Sequence, residues 1–310
     1  MIVSEGLTKF YGDRPAVQGL TFSIAQGEVV GLLGLNGAGK STALRILSCL
    51  LLPTSGKVTI DGDDVVTRGH EIRRRVGYLP DLPPLYPEMT TRSYLTFVAR
   101  IKGVPAKAAK GRVDDVIVQS HLGDVADQVI GTLSHGFRQR VGLAQAIVHK
   151  PALLILDEPI LGLDPVQIVD MRERIRKLRG EHTILVSSHI LPEISQTCDR
   201  ILVLHEGKIV AQGTEDELTS KLVGANRIVV EVRMAEEEAT RVLTAVPGVT
   251  GCRTTSSGGT VEATVDSATD VREAVARAVV QAGGGLVGLR HAAAELESIF
   301  VKLTSEGGQA

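Results

Sequence analysis

Tryptophan is absent from the 310 residues, and four Tyr and five Phe make up the whole aromatic complement. So little aromatic surface excludes a base-stacking platform for single-stranded nucleic acid. A basic surplus is also missing. Lys plus Arg number 34 and Asp plus Glu 36, a net charge of −2 with a pI near 6.5, which argues against a nucleic-acid-binding surface. The three cysteines, Cys49, Cys198 and Cys252, are odd in number, far apart and form no CxxC. They suit reduced, buried thiols better than a disulfide framework or a zinc site. Although 43% of residues are hydrophobic, no uncharged apolar run approaches the roughly 18 to 20 residues that a membrane-spanning helix needs. The opening MIVSEGLTKFYG has no charged start followed by an apolar core, so no secretory signal is read. The chain is expected in the cytoplasm, without insertion into a bilayer.

The length suggests about two domains. Over the first 220 residues, apolar runs at 2–4, 20–24, 29–33, 57–60, 75–79, 153–156, 183–187 and 201–204 alternate with helical patterns. That rhythm predicts an α/β domain with a mostly parallel sheet. Residues from about 83 to 150 break the alternation with helical patterns at 91–102, 112–120 and 135–149, a helical insertion into the core. The helix TEDELTSKL, with Thr214 and Glu217 placed as a capping box, closes the first domain. Residues 225–310 follow the order β-α-β-β-α-β, predicting a small α+β ferredoxin-like domain with a final short helix at ELESIFVKL. Its turns are expected at 256–259 and 283–285.

The segment GLNGAGKST, from Gly34 through Asn36, Gly37, Ala38, Gly39, Lys40 and Ser41 to Thr42, satisfies GxxxxGK[ST] between a predicted strand and a predicted helix. Its glycines let successive backbone N–H groups face one anion, and the helix directs its positive end at the same point. Lys40 would neutralise the β and γ phosphates, and Ser41 would offer a hydroxyl to Mg²⁺. Further on, PALLILDEP delivers Asp157 and Glu158 at the C-terminal end of a buried strand. In such a site the first acid serves Mg²⁺, and the second is placed to take a proton from an attacking water. The guanine-reading NKxD is absent. LSHGFRQRVGLAQAIVHKP lies about twenty residues before the DE strand, and His189 follows TILVSS.

With these motifs in order over some 220 residues, the sequence resembles the ATP-binding-cassette (ABC) family of transporter ATPases. The wording YLPDLPPLYPEMTTRSYL, SSHIL and ELESIFVKLT is similar to the branch that serves ABC-2 type exporters, including those of gliding-motility systems. The resemblance implies a P-loop cassette with a RecA-like core and helical subdomain, ATP and Mg²⁺ as cofactors, and two cassettes, as a homodimer or cassette pair, closing head to tail around two ATP molecules. It implies that Tyr11 stacks on adenine, and that Ser134 and Gly136 of the signature reach the partner's γ-phosphate. Asp164 would belong to the loop that crosses to the other subunit, and His189 would hold the γ-phosphate and lytic water beside Glu158. It also implies separate ABC-2 type permease subunits docking near residues 81–100, with this chain peripheral on the inner face of the membrane. For residues 225–310 it leaves stabilisation of the dimer or permease contact, or ligand sensing.

Four positions depart from the family pattern. Asp81 stands where Gln is usual after YLP; a carboxylate suits a hard cation, so Asp81 is expected to keep a metal-sensing role. His135 and Phe137 replace the usual Gly and Gln of the signature, with Ser134 and Gly136 retained. Ile160 replaces Thr or Ser after DEP and is expected to affect packing only. The competing reading is a soluble ABC ATPase acting on ribosomes or DNA. Those proteins have two cassettes, a long coiled-coil insertion or basic surfaces, and none of these is seen in the sequence.

Overall fold

The computed structural model describes residues 1–215, 217, 218, 227–257, 259–267 and 269–291. It divides into two compact units, Met1–Gln212 and Gly213–Ala310.

In the first unit, continuous apolar runs become strands buried along their whole length. These are β3 (Val29–Leu33), β7 (Leu153–Asp157), β8 (Thr183–Ser188) and β9 (Arg200–His205), which is covered except at its two ends. With β6 (Val76–Leu79) and β10 (Lys208–Gly213) they form a six-stranded sheet in the order β10-β9-β3-β8-β7-β6, whose pairs from β9 to β6 are parallel. The other early strands do not join it. β1 (Ile2–Tyr11), β2 (Arg14–Ile24), β4 (Ser55–Ile60) and β5 (Asp63–Asp64) make a separate antiparallel sheet in the order β2-β1-β4-β5. The mostly parallel sheet is thus present as expected, but the early strands at 2–4, 20–24 and 57–60 lie outside it. The physical signal is alternation: β2 ends in a buried-exposed rhythm, the mark of a sheet with only one face covered.

Between the two sheets lies α1 (Lys40–Leu47), whose Ala43, Leu44, Ile46 and Leu47 enter a core shared with Ile2, Leu20, Ile60, Ile155 and Leu202. α2 (Gly69–Arg75) leads into β6. The insertion consists of α3 (Thr91–Ile101), α4 (Ala106–Gln119) and α5 (His135–Ile147). Cationic side chains tie it to backbone carbonyls: Lys102 Nζ reaches the carbonyls of Arg73 and Val76, each at 3.2 Å, and Arg112 reaches those of Ile147 and Val148, each at 3.1 Å. α6 (Pro165–Lys177) follows β7, and α7 (Leu191–Ser195) follows β8. Among the described residues no helix is long and apolar enough to cross a membrane.

The capping box is formed as expected, but it opens the second unit rather than closing the first: Thr214 N donates to Glu217 Oε2 and Glu217 N to Thr214 Oγ1, each at 3.2 Å. The rest of TEDELTSKL beyond Leu218 and the final ELESIFVKL lie outside the described residues, as does Gly258 of the expected 256–259 turn. β11 (Arg227–Arg233), α8 (Glu236–Thr244), β12 (Val249–Ser257), β13 (Thr260–Ser267), α9 (Arg272–Gln281) and β14 (Gly285–His291) form an antiparallel sheet in the order β12-β13-β11-β14. With the first and third strands central, this is the ferredoxin-like arrangement. Alternation supplies its core: Ile228, Val230 and Val232 of β11 and Val261, Ala263 and Val265 of β13 face Leu243 of α8 and Val275 and Val279 of α9.

Candidate nucleotide site

The loop from β3 to α1 is shaped by its glycines. Gly37 and Gly39 adopt φ of +84° and +103°, a region closed to most side chains. A Cβ on Gly39 would lie 2.3 Å from the Ala16 carbonyl oxygen, and one on Gly34 2.6 Å from that of Leu204. The loop is thus clasped by β2 and by the end of β9. Gly39 is the N-cap of α1 and brings no capping side chain, so the first N–H groups of that helix are left for an external anion. Lys40 is 5% exposed and folds back over the loop, with Nζ donating to the Gly34 carbonyl at 2.6 Å and the Leu35 carbonyl at 3.3 Å.

Glu158 closes the other side. It follows β7 at φ +49°, a strained value for a non-glycine residue, and is 7% exposed. Its N–H donates to Ser187 Oγ at 3.0 Å, and that hydroxyl donates to Asp157 Oδ1 at 2.7 Å. Glu158 Oε2 lies 3.0 Å from His189 Nδ1, and Oε1 lies 3.1 Å from Lys40 Nζ in an ion pair. Oε1 has no hydrogen-bond partner, so the ammonium sits off its hydrogen-bonding direction. With Nδ1 protonated, the imidazole fixes one carboxylate oxygen and leaves the other for a water proton. That arrangement suits general-base chemistry.

Asp157 lies close enough to Ser41 for that hydroxyl to act on its carboxyl. Burial, with the charges of Glu158 and Asp81 added, pushes this carboxyl above the ordinary aspartate range. Ser41, Asp157 and Asp81 offer only hard oxygens around a negative cluster, a donor set that fits Mg²⁺. Among the described residues no group of three or more His, Cys, Asp and Glu side chains could hold a metal alone. An Mg²⁺ here would therefore lean on phosphate oxygens and water, as that ion prefers. Asp81 is anchored through its backbone carbonyl, which accepts from Nε2 of Gln139, a residue of α5 that is 1% exposed.

The structure thus gathers Gly34 to Thr42, Asp81, Asp157, Glu158 and His189. Tyr11 stands apart, 49% exposed at the end of β1 opposite Arg14, on the hairpin that passes the P-loop at Ala16. Lys9 Nζ lies 5.6 Å from its ring centroid. Ser134 and Gly136 also stand apart. Ser134 caps α5 by accepting from Phe137 N, and among the described residues no hydrogen bond or ion pair joins either residue to the P-loop. Asp164 caps α6 through Gln167 N at 2.9 Å. Ile160 is 5% exposed. Sequence reasoning missed Ser187, the hydroxyl linking both acids, whose only signal was a polar residue ending a buried strand. It also missed Ser188, whose Oγ donates to the buried Glu193 at 2.6 Å and accepts from Ile190 N, bracing the turn that carries His189.

A parallel α/β sheet with a phosphate loop at the tip of one strand and a carboxylate pair at the tip of another defines a P-loop nucleotide hydrolase. Residues 17–161 match the family model for ABC transporters. A bacitracin transport ATP-binding protein of Bacillus licheniformis is 39% identical over 245 residues, 78% of each chain. A daunorubicin resistance ATP-binding protein of Streptomyces coeruleorubidus is 34% identical over 98% of this chain and 96% of its own. A Nod factor export ATP-binding protein of Burkholderia thailandensis is 37% identical over 96% and 94%. Among solved structures, a dimeric post-hydrolysis ATP-binding cassette bound to ADP and Pi superposes with a TM-score of 0.64 at 26% identity, over 69% of this chain and 98% of that one. An ATP-binding subunit of an ABC transporter gives 0.66 at 32% identity, over 73% and 95%. This chain belongs to the ABC transporter ATP-binding family. It is an ATP-binding, ATP-hydrolysing cassette.

Proposed function

We propose that this chain is the energy-converting subunit of an export system, in which two copies close head to tail around two ATP molecules and drive separate ABC-2 type membrane subunits. The observation that carries this reading is likeness along nearly the whole chain to ATP-binding proteins named for drug resistance and Nod factor export. The absence of a membrane-crossing helix among the described residues accords with a pore built by other chains, with this one at the inner face of the membrane.

In this reading Tyr11 stacks on adenine and the loop from Gly34 to Thr42 wraps the phosphates. Lys40 turns from the Gly34 carbonyl and Glu158 toward the β and γ phosphates. Ser41, Asp157 and Asp81 would hold Mg²⁺, whose contribution when bound is to neutralise charge developing between those phosphates. Glu158 takes the proton of the attacking water while His189 holds the carboxylate in place. Ser134, Gly136 and the N-terminus of α5 meet the γ-phosphate of the other copy, and Asp164 lies in the crossing loop. ATP favours the closed pair because only closure completes these contacts. The ferredoxin-like unit strengthens the pair or its contact with the membrane subunits.

Tagged full-length chain, purified with mild detergent from its own organism, should bring with it a multispanning membrane protein that raises its rate of ATP turnover. Recovery with ribosomes or DNA, and no such stimulation, would overturn the proposal.

A further inference from the structure

We infer that His135 is a positioning residue: its side chain fastens the signature segment to the LGLDP loop of the same chain, so that both present themselves to the partner copy as one preset unit. The inference rests on the head-to-tail pairing proposed above.

His135 opens α5 and is half-buried. Its Nε2 lies 3.1 Å from the carbonyl oxygen of Leu161, 26 residues further along the chain. A carbonyl only accepts, so Nε2 carries the proton; this is met by the neutral ring in one tautomer and by the cation alike. The bond therefore does not depend on the charge of the ring. Glycine, the usual residue of the family pattern at this position, has no group to make it.

The surroundings hold the two segments in contact. Gly162, at φ +74°, leaves room for the ring: a Cβ there would stand 3.2 Å from His135 Nε2. At Gly136 a Cβ would stand 2.4 Å from Gln167 Oε1, so α5 and α6 touch from their first turns. The backbone N–H of Gln167 is the one that Asp164 caps. One turn further, Arg140 of α5 pairs with Asp170 of α6 at 3.0 Å. Asp170 also accepts two bonds from Arg174, at 2.9 and 2.6 Å, and Arg174 donates to the Gln119 carbonyl at 2.8 Å. The His135 bond is the outermost rung of this ladder. It joins the start of α5 to the LGLDP loop, where Ser134 and Leu161 are exposed. Loops already fixed relative to each other lose less freedom when a partner closes on them.

The test uses full-length Glu158→Gln chain, in which ATP-bound dimers should accumulate, with His135→Ala, His135→Asn or His135→Gln added. Gln places an amide N–H near the reach of Nε2, whereas Asn is one carbon shorter. ATP-dependent dimer affinity is measured by sedimentation, ATP affinity of dilute monomer with a fluorescent analogue, and folding by thermal unfolding. Loss of one neutral hydrogen bond should weaken the dimer about fivefold in the Ala and Asn variants. The Gln variant should stay within about twofold of its parent, and monomer affinity for ATP should be unchanged throughout. An Ala variant that dimerises as well as its parent overturns the assignment. A Gln variant as weak as Ala, with all three equally lowered in thermal midpoint, makes His135 a packing residue and overturns it too. A parent that stays monomeric with ATP overturns the pairing reading itself, a result distinguishable from either.

Discussion

Replacing Glu158 by Gln should have two opposite effects, because Glu158 holds Lys40 as well as facing the phosphate site. The two charges lie 3.1 Å apart, with side-chain exposures of 5% and 10%. At an effective dielectric of about 20 their attraction is about 5 kcal/mol, an upper bound because both ions have also lost hydration. Before Lys40 can serve a phosphate, that attraction must be given up. The neutral amide has nearly the same shape and keeps an oxygen for the N–H of His189, but releases the ammonium and removes a negative charge facing the incoming polyanionic triphosphate. If a quarter of the attraction is recovered, ATP should bind up to about tenfold more tightly. Turnover should fall by about 10²- to 10⁴-fold, the usual worth of a general base. Phosphate release at saturating ATP and a fluorescence titration of nucleotide binding read the two effects separately. Turnover within threefold of the parent, or weaker ATP binding, would refute the reasoning.

Three further outcomes follow from the same geometry. Asp81→Ala keeps the backbone bond to Gln139 but removes a carboxylate from the cation site, so the Mg²⁺ concentration for half-maximal turnover should rise about tenfold; an unchanged Mg²⁺ profile would count against Asp81. Burial raises the Asp157 carboxyl, so above its folded value the native ionised form carries a penalty that the unfolded chain does not, and the penalty vanishes below the unfolded value. Asp157→Asn should therefore raise the nucleotide-free thermal midpoint near neutral pH by about 2 to 4 °C while abolishing hydrolysis; a lowered midpoint would contradict this. His149 has the reverse sign: burial, then the charge of Lys102, depress its pKa from 6.5 to about 4, so as pH falls through that window the unfolded state takes up a proton that the native state refuses. Stability should drop by up to about 3 kcal/mol across it, and His149→Gln should flatten the urea-midpoint profile between pH 6.5 and 4.

The phosphate loop was legible in the sequence because its own conformation is set by contiguous residues, although the strands that clasp it at Ala16 and Leu204 are remote. Glycines set the positive φ values, and the helix that follows sets the positive end. The ferredoxin-like order was legible for a similar reason, since alternation along β11 and β13 marks which residues face the helices. The early strands were misjudged because a short apolar run reads alike in both sheet types. The alternation at the start of β1 and at the ends of β2 and β4 tells them apart. The bond of His135 was not legible, since its partner Leu161 is remote in sequence and offers a backbone carbonyl that no pattern of side chains reveals.

The sequence by itself thus determined the chemistry available: an anion cradle, a lysine, two acids after a buried strand and a histidine after another. The tertiary structure alone decided their arrangement. Four apolar strands of similar composition carry no mark of lateral order, and it is the placing of β8 between β3 and β7 that sets Ser187 against Asp157 and His189 against Glu158. Hydrophobic burial is non-directional and fixes only that such strands go inside. The crossovers and the register of backbone hydrogen bonds then select which polar tips meet.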